Sequence, residues 1–185
     1  MKKIIYFIAF VSLVFVTSCE KELDTTNLYG KSLESYYKTP TDIEEAIAGV
    51  YNAIYTPNVH SNESMAANLM SDMMLGGGGP DDKSAKWVDN FEDPAEDTYR
   101  DMWTQCYNGI ARTNVIIEKT AEADFSTFFA TPELATEFKN QAIGEALFMR
   151  AFFYFRLGKF FGGVPLIPAI DSLNDVVRAS YSETF

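Results

Sequence analysis

Apolar residues recur along most of this chain with the period of an α-helix. Between positions 43 and 55 they fall at i, i+3, i+4, i+7, i+8, i+11 and i+12, which is typical of an amphipathic helix. Thr39 followed by Pro40 predicts its start, and Pro57 its end. A shorter helix is predicted over 63–75. The apolar stripe of the first helix consists of Ile43, Ala46, Ile47, Val50, Tyr51, Ile54 and Tyr55.

Two longer helices are predicted in the second half of the chain. The first begins at Tyr99, and small residues at Gly109 and Ala111 predict close approach of a neighbouring helix. The second begins at Thr131 and Pro132. One face of the first of these helices presents Trp103, Tyr107, Ile110, Asn114 and Ile117.

Residues 147–157 are apolar around the full circumference of a helix, which is typical of a deeply buried or a membrane-spanning segment. Charges at Glu145, Arg150, Arg156 and Lys159 are too frequent for a bilayer core. We therefore expect the central helix of a protein core. The Gly162-Gly163 pair and Pro165 predict where it ends.

No segment alternates convincingly with a period of two, so the predicted class is all-α. Aromatic residues facing small residues on paired helices look like tetratricopeptide-type hairpins, here joined by long irregular loops, although no clean repeat period is present. Ser180 and Glu183 form a capping box that predicts one more helix. Because only two residues follow Glu183, we expect the domain to be truncated.

The N-terminus has the pattern of a lipoprotein signal. Lys2 and Lys3 precede a short apolar stretch at 4–16, and Val16-Thr17-Ser18-Cys19 matches a bacterial lipobox. The predicted organisation is a signal peptide at 1–18, a lipidated tether at 19–38 and a helical domain at 39–185. The alternative is an ordinary signal peptide with a chance cysteine at Cys19.

The formal net charge of −11 is unsuitable for binding nucleic acid. With Cys19 assigned to lipid, Cys106 is left without a disulfide partner. Its position among large aromatic residues favours an inert buried thiol over a reactive one.

Two segments resemble the SusD/RagB family: the aromatic helix with its exit FGGVPL at 161–166, and TPTDIEEAIAGVYNAIY at 39–55. The resemblance implies a surface lipoprotein of the outer membrane that captures nutrients, mostly glycans, without cleaving them. It also implies a SusC-like TonB-dependent transporter as partner. Family members are roughly three times longer, so the match corresponds to their N-terminal third.

Several candidate sites have a simpler interpretation. The glycines at 76–79 with Lys83 lack the spacing and the preceding strand of a phosphate loop, so we expect a flexible exposed loop. The acidic residues of 81–97 lack the spacing of a calcium-binding loop, which favours a solvated surface. A glycosidase carboxylate pair among them has no support from spacing. His60 has no catalytic neighbours in the sequence. Neither a metal nor a cofactor is predicted.

Trp87 and Asn90 are the predicted ligand-binding residues. They lie in the polar stretch 76–98, predicted to be a loop, where an exposed indole offers a flat face to a sugar ring and an amide can bond to its hydroxyls. The alternative is that Trp87 folds back onto the core. Two other functions remain open: a lipid-anchored surface hydrolase, and a helical surface scaffold without a ligand.

Overall fold

The computed structural model describes residues 35–55, 57–77, 79–80, 83–92, 99–169 and 176–184, with the backbone alone at 57–62 and 84. The compact unit described below is Tyr36–Phe185. Among these residues no helix is both long and apolar enough to cross a membrane. The α-helices are α1 (Pro40–Asn52), α2 (Pro57–Met70), α3 (Lys83–Asp89), α4 (Arg100–Glu122), α5 (Pro132–Phe161) and α6 (Tyr181–Thr184), with a 3-10 helix at Ser126–Phe128.

Helix α1 begins where the sequence predicts. The Thr39 hydroxyl accepts a hydrogen bond from the Asp42 amide (3.1 Å), and the Asp42 carboxylate accepts one from the Thr39 amide (2.9 Å). This reciprocal pair satisfies two amides that the first helical turn leaves unpaired. Ile43, Ile47 and Val50 are buried against α4 and α5, as the stripe predicts.

The prediction is wrong at the end of α1 and for the bounds of α2. The last part of the apolar stripe lies beyond Asn52, and Tyr55 is 78% exposed. Pro57 does not end α1: it is the first residue of α2, where a missing amide costs nothing. Helix α2 therefore begins six residues earlier than predicted and ends at Met70, before the left-handed residue Asp72.

Helices α4 and α5 form an antiparallel hairpin, which confirms the all-α, tetratricopeptide-like prediction. Lys139 of α5 bonds to the carbonyl of Ala121 near the end of α4, whereas Phe153, later in α5, packs on Gly109, earlier in α4. A Cβ atom at Gly109 would overlap the Phe153 ring, so the predicted close approach is confirmed there. It is wrong for Ala111, which is exposed.

The sequence predicts that α5 is buried on all sides, and this prediction is wrong. Met149, Phe153 and Leu157 form the core with α4 and α1. Phe148 and Phe155, on the other side, are 67% and 51% exposed. Within the described part of the chain, the packing helices leave the side with Phe148 and Phe155 open to solvent. Periodicity cannot reveal which sides of a helix find a partner.

The segment after α5 is held by side chains of the hairpin. The Tyr107 hydroxyl donates to the Pro165 carbonyl (2.8 Å), and the side-chain amide of Asn114 donates to the Ile167 carbonyl (2.7 Å). The Ile167 amide in turn donates to the Tyr154 hydroxyl (2.6 Å). Gly162, with φ of +70°, adopts a backbone conformation that favours glycine, and the helix ends there. Residues 161–166 therefore have a structural role: a helix stop followed by a clamped extended segment.

Cys106 is buried at the α4–α5 interface, as predicted. Burial raises the pKa of its thiol to about 11, against a smaller opposing effect of the Arg156 charge. Because the thiolate is the reactive form, native Cys106 should be inert to thiol reagents.

We expect a Cys19→Ala variant to react with a thiol reagent at mildly alkaline pH only after denaturant is added. The matched control is the same variant with Ser71→Cys, an exposed position, which should react without denaturant. Reaction of native Cys106 at the rate of this control would contradict the burial.

Candidate functional site

A cavity of about 400 Å³ lies where α2, α3 and the end of α5 meet. Such a volume falls within the range of small-molecule sites. The cavity is apolar on most of its wall, with three charged residues among the lining side chains. It is lined by Glu63, Ala67, Met70, Trp87, Val88, Phe91, Glu92, Tyr99, Lys159 and Phe160. We call it the Trp87 cleft.

Trp87 lies on α3 and not in an irregular loop, so the loop predicted over 76–98 is wrong in its middle part. Val88 is buried against Ala66 and Leu69 of α2, and this contact fixes α3 on the domain. The indole of Trp87 is half-buried and lines the cleft. It is therefore neither the fully exposed ring that a loop predicts nor part of the main core.

The glycine run before α3 is partly fixed, contrary to the expected flexible loop. The Gly76 amide donates to the Asp89 carboxylate (2.9 Å), and a Cβ atom at Gly76 would lie 2.5 Å from the Ala85 carbonyl oxygen. Glycine is thus required for this approach. Lys86 donates to the Gly79 carbonyl (3.2 Å). These contacts hold the helix that carries Trp87.

The polar wall of the cleft is an ion-pair network between α2 and α5. The Glu63 carboxylate accepts hydrogen bonds from Arg156 (2.8 Å) and Lys159 (3.1 Å). Burial acts to raise the pKa of Glu63, but the hydrogen bonds and charges of Lys159 and Arg156 together outweigh it, so the pKa is lowered. Glu63 therefore carries its negative charge at neutral pH.

Asn90 is exposed and follows the last residue of α3, beside the cleft but not lining it. Sequence reasoning missed the other members of the site. Glu63 and Arg156 are 93 positions apart, and no pattern in a single sequence brings them together. Phe91 was visible as an aromatic in the same polar stretch, only four residues after Trp87.

Several other candidate residues lie in parts of the chain that the structure does not describe. Cys19 and the acidic residues at 81, 82, 93, 96 and 97 lie outside the described residues, as does the side chain of His60. In the part of the chain that the structure describes, no group of three His, Cys, Asp or Glu side chains is placed to hold a metal ion.

Fold and cleft together define an all-α protein on a tetratricopeptide-like hairpin, with an aromatic-lined cleft at one end of the long helix. Residues 23–185 match the model of a family described as "starch-binding associating with outer membrane". The chain belongs to this SusD-like family.

Relatives agree with this assignment. The chain is 28% identical over 166 residues to SusD-like protein P38 of Formosa agariphila, covering 88% of this chain and 30% of the relative. A laminarin-binding SusD-like protein superposes with a TM-score of 0.63 at 25% identity, over 80% of this chain and 32% of that one. A SusD superfamily protein of Bacteroides vulgatus has a TM-score of 0.61 at 22% identity, over the same shares of the two chains. The chain thus spans about a third of the length of these relatives.

Proposed function

We propose that this protein binds glycan in the Trp87 cleft at the cell surface and delivers it to a SusC-like TonB-dependent transporter of the outer membrane. The observation that carries the proposal is the half-exposed indole on a fixed helix, facing a cavity with charged groups on its wall. The family description as starch-binding and outer-membrane-associated supports it.

The chemistry of the cleft suits a carbohydrate. A sugar ring has a face of C–H groups that packs on an aromatic ring, and a rim of hydroxyls that needs polar partners. Trp87 supplies the ring face. Lys159 is about half exposed and supplies donors, and Glu92 supplies acceptors. The relative of solved structure that binds laminarin, a glucan, supports this ligand class.

The state of Glu63 does not suit the acid of a glycosidase. A glycosidase needs a carboxylic acid whose pKa is raised so that it can protonate the leaving oxygen. Glu63 has a lowered pKa, and each of its oxygens accepts a hydrogen bond from a cation. It is therefore a poor proton donor and, in this proposal, a fixed part of the cleft wall.

The N-terminal pattern supplies the remaining part of the proposal. Cleavage before Cys19 would leave a lipidated N-terminus, with 1–18 as the signal peptide, 19–38 as the tether and 39–185 as the helical domain. Attachment through more than one acyl chain would hold the protein stably at the membrane. The proposed location is the outer membrane, facing the exterior, where a transporter can receive the ligand.

Trp87→Ala should weaken glycan binding about fivefold, because stacking on an aromatic face is worth on the order of 1 kcal/mol. The measurement is calorimetry on the full-length protein with laminarin and soluble starch. Phe128→Ala is the matched control, since Phe128 is exposed on the 3-10 helix away from the cleft, and its affinity should equal that of the wild type.

Each other outcome favours a different function. Equal affinity of Trp87→Ala and wild type would remove the cleft from the glycan site. Absence of binding to either polysaccharide would favour the ligand-free scaffold. Release of shorter sugars by the wild type would favour the lipid-anchored hydrolase.

A further inference from the structure

Phe91 combines two unfavourable features at the mouth of the Trp87 cleft. Its side chain is 70% exposed to solvent although it is a large apolar ring. Its backbone adopts a left-handed conformation with φ of +53°. Side chains other than glycine, asparagine and aspartate rarely adopt this conformation, and strain of this kind concentrates at ligand sites.

The strain arises from the way in which α3 ends. The Glu92 amide donates to the Trp87 carbonyl (2.9 Å), and the Phe91 amide donates to the Val88 carbonyl (3.3 Å). These two bonds form a Schellman motif, in which the left-handed position is usually glycine. In this chain phenylalanine occupies that position.

The end of α2 shows that such a turn does not need an aromatic residue. There the Met73 amide donates to the Asn68 carbonyl (3.0 Å), and the Asp72 amide donates to the Leu69 carbonyl (3.3 Å). Asp72 has φ of +59°, nearly the value at Phe91. Aspartate tolerates the conformation because its short side chain bonds locally, so the same turn is made with less strain.

We propose that Phe91 is a second aromatic contact for the glycan, held at the cleft mouth by the strained turn. This inference rests on the proposed function of the cleft. Phe91 and Trp87 line the same cavity, Trp87 from the helix and Phe91 from the turn that ends it. Two aromatic side chains on one cavity wall can each contact the same ligand.

Phe91→Gly should change stability and affinity in opposite directions. Glycine relieves the left-handed strain, so the melting temperature should rise by about 3 °C. Loss of the ring should weaken binding of laminarin or soluble starch about fivefold, whichever polysaccharide the wild type binds. A structural role of the ring would instead lower the melting temperature.

Two further variants isolate the effect. Asp72→Gly changes the matched turn outside the cleft lining, where there is less strain to relieve, so it should raise the melting temperature by less than Phe91→Gly and leave affinity unchanged. Phe91→Leu keeps a strained position but removes the aromatic face, so it should weaken binding without the gain in melting temperature.

The results separate this inference from the proposed function. If Trp87→Ala weakens binding and Phe91→Gly does not, Phe91 is not a contact and the cleft remains the site. If neither variant changes affinity, or the wild type binds neither polysaccharide, the cleft proposal and this inference are both overturned. A fall in the melting temperature of Phe91→Gly would overturn the inference alone.

Discussion

Gly109→Ala should lower the free energy of unfolding by about 2 kcal/mol, within the range for added volume in a well-packed core. The new methyl group would overlap the ring of Phe153. That ring is only 1% exposed and packs in the main core, so it has no free space into which to move. Urea denaturation with an unchanged m-value measures the loss.

Gly144→Ala is the matched control, because it makes the same substitution in α5 at an exposed position. Apart from its two chain neighbours and the nearby backbone of α5 itself, no atom lies within 4 Å of a Cβ added there. Alanine favours the helix over glycine, so stability should rise by about 1 kcal/mol. If Gly109→Ala were also stabilising, the close contact of α4 and α5 would be wrong.

Cys19→Ala should release the protein from the membrane fraction almost completely, because the proposed anchor is attached to this sulfur. The apolar stretch at 4–16 would not replace it, since it has too few residues to span a bilayer. Fractionation of cells expressing the full-length protein, together with incorporation of labelled fatty acid, measures the effect.

Cys106→Ala is the control for the label, as it removes the other cysteine of the chain. It should keep both the label and the membrane location, because the Cys106 thiol is buried within the helical hairpin. Equal labelling of the wild type and of Cys19→Ala would show that lipid is attached elsewhere or not at all.

The helical hairpin could be predicted from the sequence because its signals are local. Thr131 and Pro132 specify the start of α5, and Gly162 specifies its end. The small residue at Gly109 indicated the close helix contact, whereas Ala111 carried the same signal and is exposed. Residue size alone therefore does not identify the contact face; the orientation of the partner helix does.

The candidate site could be predicted only in part. The sequence indicates Trp87 because it is an aromatic residue in a polar stretch, but that stretch contains a helix whose seven residues give too short a pattern to recognise. Asn90 is predicted only from its position near Trp87 in the sequence, and the structure leaves it outside the cleft lining. Its role in binding stays a prediction.

The sequence by itself determined the all-α class, the starts of the two long helices, the end of α5 and the family resemblance, since capping, periodicity and short motifs depend on neighbouring residues. Only the tertiary structure decided which side of α5 is buried, how Glu63 pairs with Arg156, and that Trp87 and Phe91 share one cavity. These features depend on contacts between residues far apart in the chain. Such contacts are set by the packing of whole helices, which a local pattern does not encode.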